Sequence, residues 1–440
     1  MDELLKTLSK DKWQRIGIQR RAGALVPLFS VYSQDSLGIA DLRDLRLLID
    51  WVSLSGNSIL QLLPMNELGS LFCPYDSLSS FALEPAYLCI RELVAVDNRQ
   101  PQPGKIAKIK EKFSNHEGYV DYGIKTEKLK LLWEIFLSNP TRGLADFEEF
   151  REKNSYWLGD SCLYKALKTD QQGRPWYEWL DEFRERDKKA LTDFQNTHQK
   201  EILFQAWLQW QLYEQFKAAR VYAREKGILL KGDLPILVSR DSADVWQHPE
   251  FFKLEFAAGA PPDMYCAKGQ RWGMPTYNWE RIKEDKYRYI KEKLRYAENF
   301  YDILRIDHVV GLFRIWSIPY NEPLENQGLG GFFEPQDESL WRGHGYNILK
   351  TMLENTSMLL CAEDLGVIPR ACTESLRELG IPGNEVQRWA KDWKERHDFL
   401  LPDEYRLLSV AMLSTHDSTC WRTWWQDEAG TVDEGMFLRR

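Results

Sequence analysis

The sequence predicts an α/β protein built on a parallel sheet, and three observations carry that prediction. An apolar run, an amphipathic helix and a second apolar run follow one another between Ala24 and Leu63. The same alternation returns after about residue 200. Four later apolar runs each lead to a carboxylate, as in folds whose loops after the strands carry the chemistry. At 440 residues the chain has room for roughly three units of about 150 residues, or for one large α/β barrel with insertions.

In chain order, Ala24 to Ser30 reads as a short strand despite Pro27, followed by a polar turn through Gln34, Asp35 and Gly38. Asp41 is placed to cap a helix whose Leu42, Leu45, Leu48, Ile49 and Val52 recur at three- and four-residue spacing, and Gly56 stops it. Ser58 to Leu63 is a second strand ended by Pro64, which completes a βαβ unit. Over residues 91–200 the chain turns charged and helical in pattern (KIAKIKEKF, DFEEFREKN, DEFRERDKKA), which predicts a helical insertion with a solvated face. A long helix from about Leu203 to Lys226, closed by Gly227, leads into the strand Ile228 to Asp233. Residues 239–280 are rich in Pro, Gly and aromatics and predict a long functional loop subdomain. Asp302 to Ile306 then leads to Asp307, Met358 to Ala362 to Glu363, and Leu408 to Leu413 through His416 to Asp417. Gly328 to Gly331 lacks the spacing of a nucleotide-binding turn and reads as a loop.

Lys and Arg total 58 against 66 Asp and Glu, a formal charge of −8, which argues against binding nucleic acid or an anionic membrane through bulk positive charge. With 43% hydrophobic and 28% charged residues the chain sits near the globular average, so global disorder is excluded. The N-terminus lacks the apolar centre of a signal peptide and no segment approaches about 18 uncharged apolar residues, so a cytoplasmic protein is expected. Seven cysteines without a CxxC pair and seven histidines without an HExxH or HxH group predict neither a disulfide framework nor a zinc site. Most of the 18 tryptophans are expected in the core.

Acids on separate strand ends admit two chemistries. They could ligate a divalent cation, as in a metal-dependent lyase, or act as nucleophile, proton donor and charge stabiliser at a glycosidic bond. The neighbours favour the second. Arg305 and Asp307 are two apart and point to the same side of a strand, His308 follows at the strand's exit, and His416 precedes Asp417. A guanidinium beside Asp307 is expected to keep that carboxylate ionised, as a nucleophile requires. Glu363 follows an apolar Leu-Leu-Cys-Ala run, where partial desolvation raises a carboxyl toward the range of a proton donor. The plainer alternative, that each acid merely caps a following helix, weakens when four acids keep Arg and His companions.

Six stretches in order resemble the motifs of 4-alpha-glucanotransferases, the amylomaltase or disproportionating-enzyme family, glycoside hydrolase family 77. They are CPYDSLSSFAL from Cys73, KGDLPILV from Lys231, GAPPDMYCAKGQRWGMPTYNW from Gly259, LRIDHVVGLFRIW from Leu304, AEDLGVIP from Ala362 and STHD from Ser414. FRIWSIP and THDSTCWRTWW are more similar to the disproportionating-enzyme branch that acts in cytosolic maltose metabolism than to short bacterial amylomaltases. The resemblance implies an α/β fold, the (β/α)8 TIM barrel of the α-amylase type with helical and loop insertions, and retaining transfer of α-1,4-glucan segments. It implies Asp307 as nucleophile, Glu363 as general acid/base and Asp417 as transition-state stabiliser. It further implies that Arg305 orients Asp307, that His308 and His416 bind sugar hydroxyls, that Asp233 supports the same sugar and that Tyr75 stacks beneath it. Gln270 and Trp272 fall in the family's mobile loop over the acceptor side. The expected partners are maltooligosaccharides and α-glucans, with no metal, no cofactor, no nucleic acid and no membrane; the oligomeric state is left open.

A family barrel continues well past the acid of strand seven, whereas this chain stops at Arg440 with GMFLRR, so a barrel truncated at its C-terminal part is expected. Two rival readings stay open at this point: an α-glucan hydrolase of the same fold, and a truncated glucan-binding protein without turnover.

Overall fold

The central parallel strands are runs of three to six residues rich in Ile and Leu that the sheet buries. The computed structural model describes residues 3–96, 103–113, 118–139, 144–263, 266–392, 396 and 398–428. Strands β1 (Gly23–Leu25), β2 (Ile59–Gln61), β3 (Leu229–Leu234), β4 (Ile303–Ile306) and β5 (Leu359–Ala362) form one parallel sheet in that order. Strands β6 (Gly383–Val386) and β7 (Ser409–Met412) form a parallel pair. The Ala362 N–H donates to the Pro382 carbonyl at 2.8 Å and joins this pair to the sheet. Spatial order thus follows chain order, the pattern of a singly wound sheet rather than a doubly wound one. Among the described residues these seven strands form a sheet and a pair, not a closed ring of eight, and GMFLRR lies outside the described residues.

The strand expected over Ala24 to Ser30 ends at Leu25. Pro27 offers no N–H to a neighbour, and the chain turns into a 3-10 segment, Leu28–Ser30. Helix α1 (Leu42–Leu54) starts where expected: the Asp41 carboxylate accepts from the Arg43 and Asp44 N–H groups, and Asp44 accepts from the Asp41 N–H. Helix α2 (Gln199–Glu225) begins four residues earlier than its apolar pattern suggested. Its Trp207 and Trp210 are fully buried, as composition led one to expect of most tryptophans. Gln209, Gln211 and Gln215 on the same helix bond both backbone groups of Leu83, Val94 and Cys89, fastening the segment after β2. Helices α3 (Arg288–Ala297), α4 (Glu338–Glu354) and α5 (Arg370–Leu379) precede β4, β5 and β6.

Between β2 and α2 lie helices including Pro103–Phe113, Gly123–Ser138, Ala145–Lys153 and Leu158–Asp170. Their charged faces are solvated as the pattern predicts, yet Ile106, Ile109, Phe147 and Phe150 are buried against the main core. The segment after Ser239, expected to be a long loop subdomain, contains short strands. Phe256–Ala260 is the centre of an antiparallel sheet with Ile315–Pro319, Phe332–Glu334 and Gln270–Arg271. Gly259 is required there: a Cβ would lie 2.0 Å from the Gln270 carbonyl oxygen.

At the opposite end of the strands, the helix Lys10–Ile16 closes the bottom of the sheet. Ile16 is buried with Ile303, Leu359 and Cys361, Ser9 Oγ donates to the Leu379 carbonyl at 2.7 Å, and Trp13 Nε1 to the Gly380 carbonyl at 2.8 Å. All seven cysteines are free thiols. Among the described residues no helix is long and apolar enough to cross a membrane.

Candidate active site

The strand register brings the first three charged groups together. Asp233 on β3 lies directly opposite Arg305 on β4, and Asp307 is the first residue after β4. Arg305 Nη1 donates to both Asp233 oxygens at 2.7 Å and to Asp307 Oδ1 at 2.9 Å. Its Nη2 stands 4.0 Å from Glu363 Oε2, so one guanidinium serves three carboxylates. The shared face that period-two spacing predicts for Arg305 and Asp307 is therefore present.

Glu363 emerges from β5 beside Asp307, and its N–H donates to the Ile306 carbonyl at 2.9 Å. Its carboxylate accepts from the His308 N–H at 2.7 Å and the Leu365 N–H at 3.2 Å. Side-chain exposures of 21% for Asp307 and 13% for Glu363 leave both reachable from the rim yet mostly out of water. Burial is the largest influence on both and pushes both carboxyls up, Asp307 to about 8, against the attraction of Arg305 and with the repulsion of Asp233. Arg305 acts on Asp307 in the expected direction, favouring the ionised carboxylate, and desolvation with the charges of Asp233 and Glu363 opposes it.

His308 adopts a left-handed backbone, φ 42°, and burial with the nearby positive charge of Arg305 lowers its imidazole to about 4. It is neutral near pH 7. Trp272 packs edge-on against His308 at 4.8 Å, and its Nε1 donates to Gln270 Oε1 at 2.9 Å. On the other side, the Tyr75 hydroxyl donates to Asp233 Oδ2 at 2.7 Å, and the Tyr75 ring stacks on His416. His416 Nε2 lies 3.1 Å from Asp417 Oδ2 and lowers that carboxyl below its ordinary range. The ten residues expected from sequence thus form one connected cluster, with Asp417 at its edge, joined through His416 and 72% exposed. Among the described residues no group of three or more His, Cys, Asp or Glu is arranged to hold a metal ion.

Residues 26–439 match the family described as 4-alpha-glucanotransferase, glycoside hydrolase family 77. The chain belongs to that family. A 4-alpha-glucanotransferase of Chlamydia muridarum is 38% identical over 428 residues, covering 94% of this chain and 77% of the relative. The 4-alpha-glucanotransferase DPE2 of Oryza sativa is 27% identical, covering 93% of this chain and 59% of the relative. Among solved structures, the amylomaltase from Streptococcus agalactiae in complex with acarbose superposes with a TM-score of 0.80 at 26% identity, over 96% of this chain and 85% of that one. The fold of this family 77 member is that of the amylomaltases.

Sequence reading missed the side chains that hold the family 77 acids in place. Asp364, buried next to Glu363, accepts from the Asn384 N–H at 2.7 Å and from Arg406 Nη1 at 2.6 Å, which pins the turn after β5 to β6. Arg388 donates to the Thr419 hydroxyl and carbonyl at 3.0 and 2.7 Å and so holds the loop of Asp417. Glu84 accepts from the Leu68 N–H and from Lys125 Nζ, both at 2.8 Å, and ties the loop of Tyr75 to the helix Gly123–Ser138. Asp364 alone carried a signal, its place in AEDLG. Arg388, Arg406 and Glu84 are single charges without a motif around them.

Proposed function

We propose that this chain transfers α-1,4-glucan segments between maltooligosaccharides or α-glucans by a retaining double displacement. One observation carries the reading: a single guanidinium gathers Asp307 and Glu363 into a largely desolvated pocket where burial raises both carboxyls. Retaining chemistry needs such a pair about 5–5.5 Å apart, one ionised and one protonated. Asp307 attacks the anomeric carbon while Glu363 gives its proton to the departing glycosidic oxygen, leaving a covalent glucosyl-enzyme. Glu363 then takes the proton of an acceptor sugar hydroxyl, whose oxygen displaces Asp307.

Arg305 orients Asp307 and moderates its charge. Asp417, with His416, holds hydroxyls of the sugar as positive charge develops at the anomeric carbon, neutral His308 bonds a further hydroxyl, Asp233 supports the same ring and Tyr75 lies beneath it. Gln270 and Trp272 cover the acceptor side, where excluding water favours a sugar hydroxyl over hydrolysis. The same proposal includes a (β/α)8 barrel of the α-amylase type with β1–β7 as its first seven strands, a helical insertion over 91–200, a loop subdomain over 239–280 and a cytoplasmic location. A solved amylomaltase with acarbose favours an oligosaccharide as the partner. No feature of the site favours hydrolysis or binding without turnover.

The test is incubation with maltotriose. Glucose and longer maltooligosaccharides should accumulate while total reducing ends stay constant, and Asp307→Asn should abolish the pattern. An unchanged pattern in that variant overturns the proposal.

A further inference from the structure

Outward along the rim from Trp272 lies a group of side chains that the chemistry above does not use. The guanidinium carbon of Arg240, in the loop after β3, is 3.7 Å from the centroid of the Tyr320 ring and 5.8 Å from that of Tyr177. Arg271, the neighbour of Gln270, has its guanidinium carbon 5.8 Å from the same Tyr320 ring and donates to the Tyr320 carbonyl at 2.6 Å. Four segments distant in sequence therefore meet here: the helical insertion, the loop after β3, the end of Ile315–Pro319 and the strand Gln270–Arg271.

The meeting is held by specific bonds. Trp176, which precedes Tyr177, donates its indole N–H to the Arg240 carbonyl at 2.8 Å and its backbone N–H to Asp241 Oδ1 at 3.1 Å. The Ser239 N–H donates to the Ser77 carbonyl at 3.2 Å, which places the start of the platform next to the loop of Tyr75. Tyr177 and Tyr320 nevertheless stay 38% and 44% exposed. Arg240 Nη1 is shielded from water and has no hydrogen-bond partner among the described residues. A shielded donor without an acceptor is costly, so the guanidinium gains when a small shift brings Nη1 to a ligand oxygen.

The occupant's chemistry follows from these groups. Exposed aromatic faces pack against the C–H faces of pyranose rings, and a guanidinium held over a ring presents several donors to hydroxyl oxygens. The exposed Glu255 carboxylate is close enough to Arg240 to act on its charge, which disfavours an anionic ligand and suits a neutral polyhydroxyl one. The geometry points to a distal glucan subsite in which Tyr177, Tyr320 and Arg240 bind glucose units of a long α-glucan, several units from the bond exchanged at Asp307. This rests on the glucan-transfer reading and adds to it a preference for chain length.

The experiment uses the full chain with Tyr177→Ala, Arg240→Gln and the conservative Arg240→Lys, and compares kcat/KM for maltoheptaose with that for maltotriose. The ratio should fall about tenfold in the first two variants, the scale of one lost ring stack or hydrogen-bonding group, and less in the third. A ratio unchanged in all three variants, or equal losses on both sugars, overturns the subsite. Because Tyr177 is exposed, its variant keeps the test open if the arginine variants do not fold. Calorimetry on the Asp307→Asn protein supplies a readout independent of turnover: maltoheptaose affinity should drop on adding Tyr177→Ala. Competition by inorganic phosphate would instead identify an anion site and overturn the proposal. If the parent chain makes no product from maltotriose while this affinity drop is present, the transfer reading fails and the subsite stands.

Discussion

The rings of Tyr75 and His416 stack with centroids 4.9 Å apart and planes inclined by 11°. The contact joins the loop after β2 to the loop after β7, and Tyr75 also bonds Asp233. One side chain therefore spans the two flanks of the acid cluster.

Tyr75→Phe keeps the stack and loses the hydrogen bond to Asp233. A bond to a charged acceptor is worth about 1.5–3 kcal/mol, so kcat/KM on maltotriose should fall at least about tenfold, and further in Tyr75→Ala. Equal activity of Tyr75→Phe and the parent would show that the hydroxyl does not matter.

Glu363→Gln removes the transferable proton and, having one side-chain oxygen, keeps acceptance from the His308 N–H while giving up the longer bond from Leu365. The loss in kcat expected for a general acid/base is about 10²–10⁴-fold. Donors with better leaving groups, which need less protonation, should recover most of the first step; a uniform loss on all donors would argue against the proton-donor role.

Stability should decline with pH through the window set by Asp307. Its folded value of about 8 lies above the unfolded value of about 3.9, so the folded chain holds a proton that the unfolded chain has lost. Unfolding free energy therefore falls as pH rises between these values, with Glu363 acting in the same direction. Asp307→Asn should raise the melting temperature relative to the parent more at pH 8 than at pH 5. The opposite order would mean that Arg305 dominates over burial.

Arg406→Ala strips a partner from the buried Asp364 carboxylate and frees the turn that carries Glu363. We expect a loss of about 1–3 kcal/mol in denaturant unfolding, together with a lower kcat. Full activity in the variant would show that Asn384 alone holds the turn.

Trp272→Ala opens the acceptor side to water. The fraction of turnovers ending in hydrolysis, read as new reducing ends per glucose released from maltotriose, should rise severalfold.

The acids were legible because each follows an apolar run short enough to be a strand, and Asp233, Asp307 and Glu363 meet through the register of neighbouring strands. The strand Gly383–Val386 was not legible: Gly-Asn-Glu-Val carries no apolar run, and its place is fixed by β7 and by Asp364. The antiparallel sheet was missed for a related reason, since Phe256–Ala260 reads as loop until Ile315–Pro319 pairs with it on one side and Gln270–Arg271 on the other. Arg388 and Arg406 act across 31 and 42 residues on groups that no local pattern singles out. The upward push on Asp307 was also invisible, because adjacency to an arginine is written in the sequence while depth below the rim is not.

The helix Lys10–Ile16 leaves the ribosome well before Leu379 and Gly380, which accept from Ser9 and Trp13 and are made some 370 residues later. At about 5–20 residues per second the nascent helix waits tens of seconds for its seat. Helix Lys10–Ile16 consequently docks only after Arg370–Leu379 has been made, so the floor beneath the sheet is a late contact in biosynthesis.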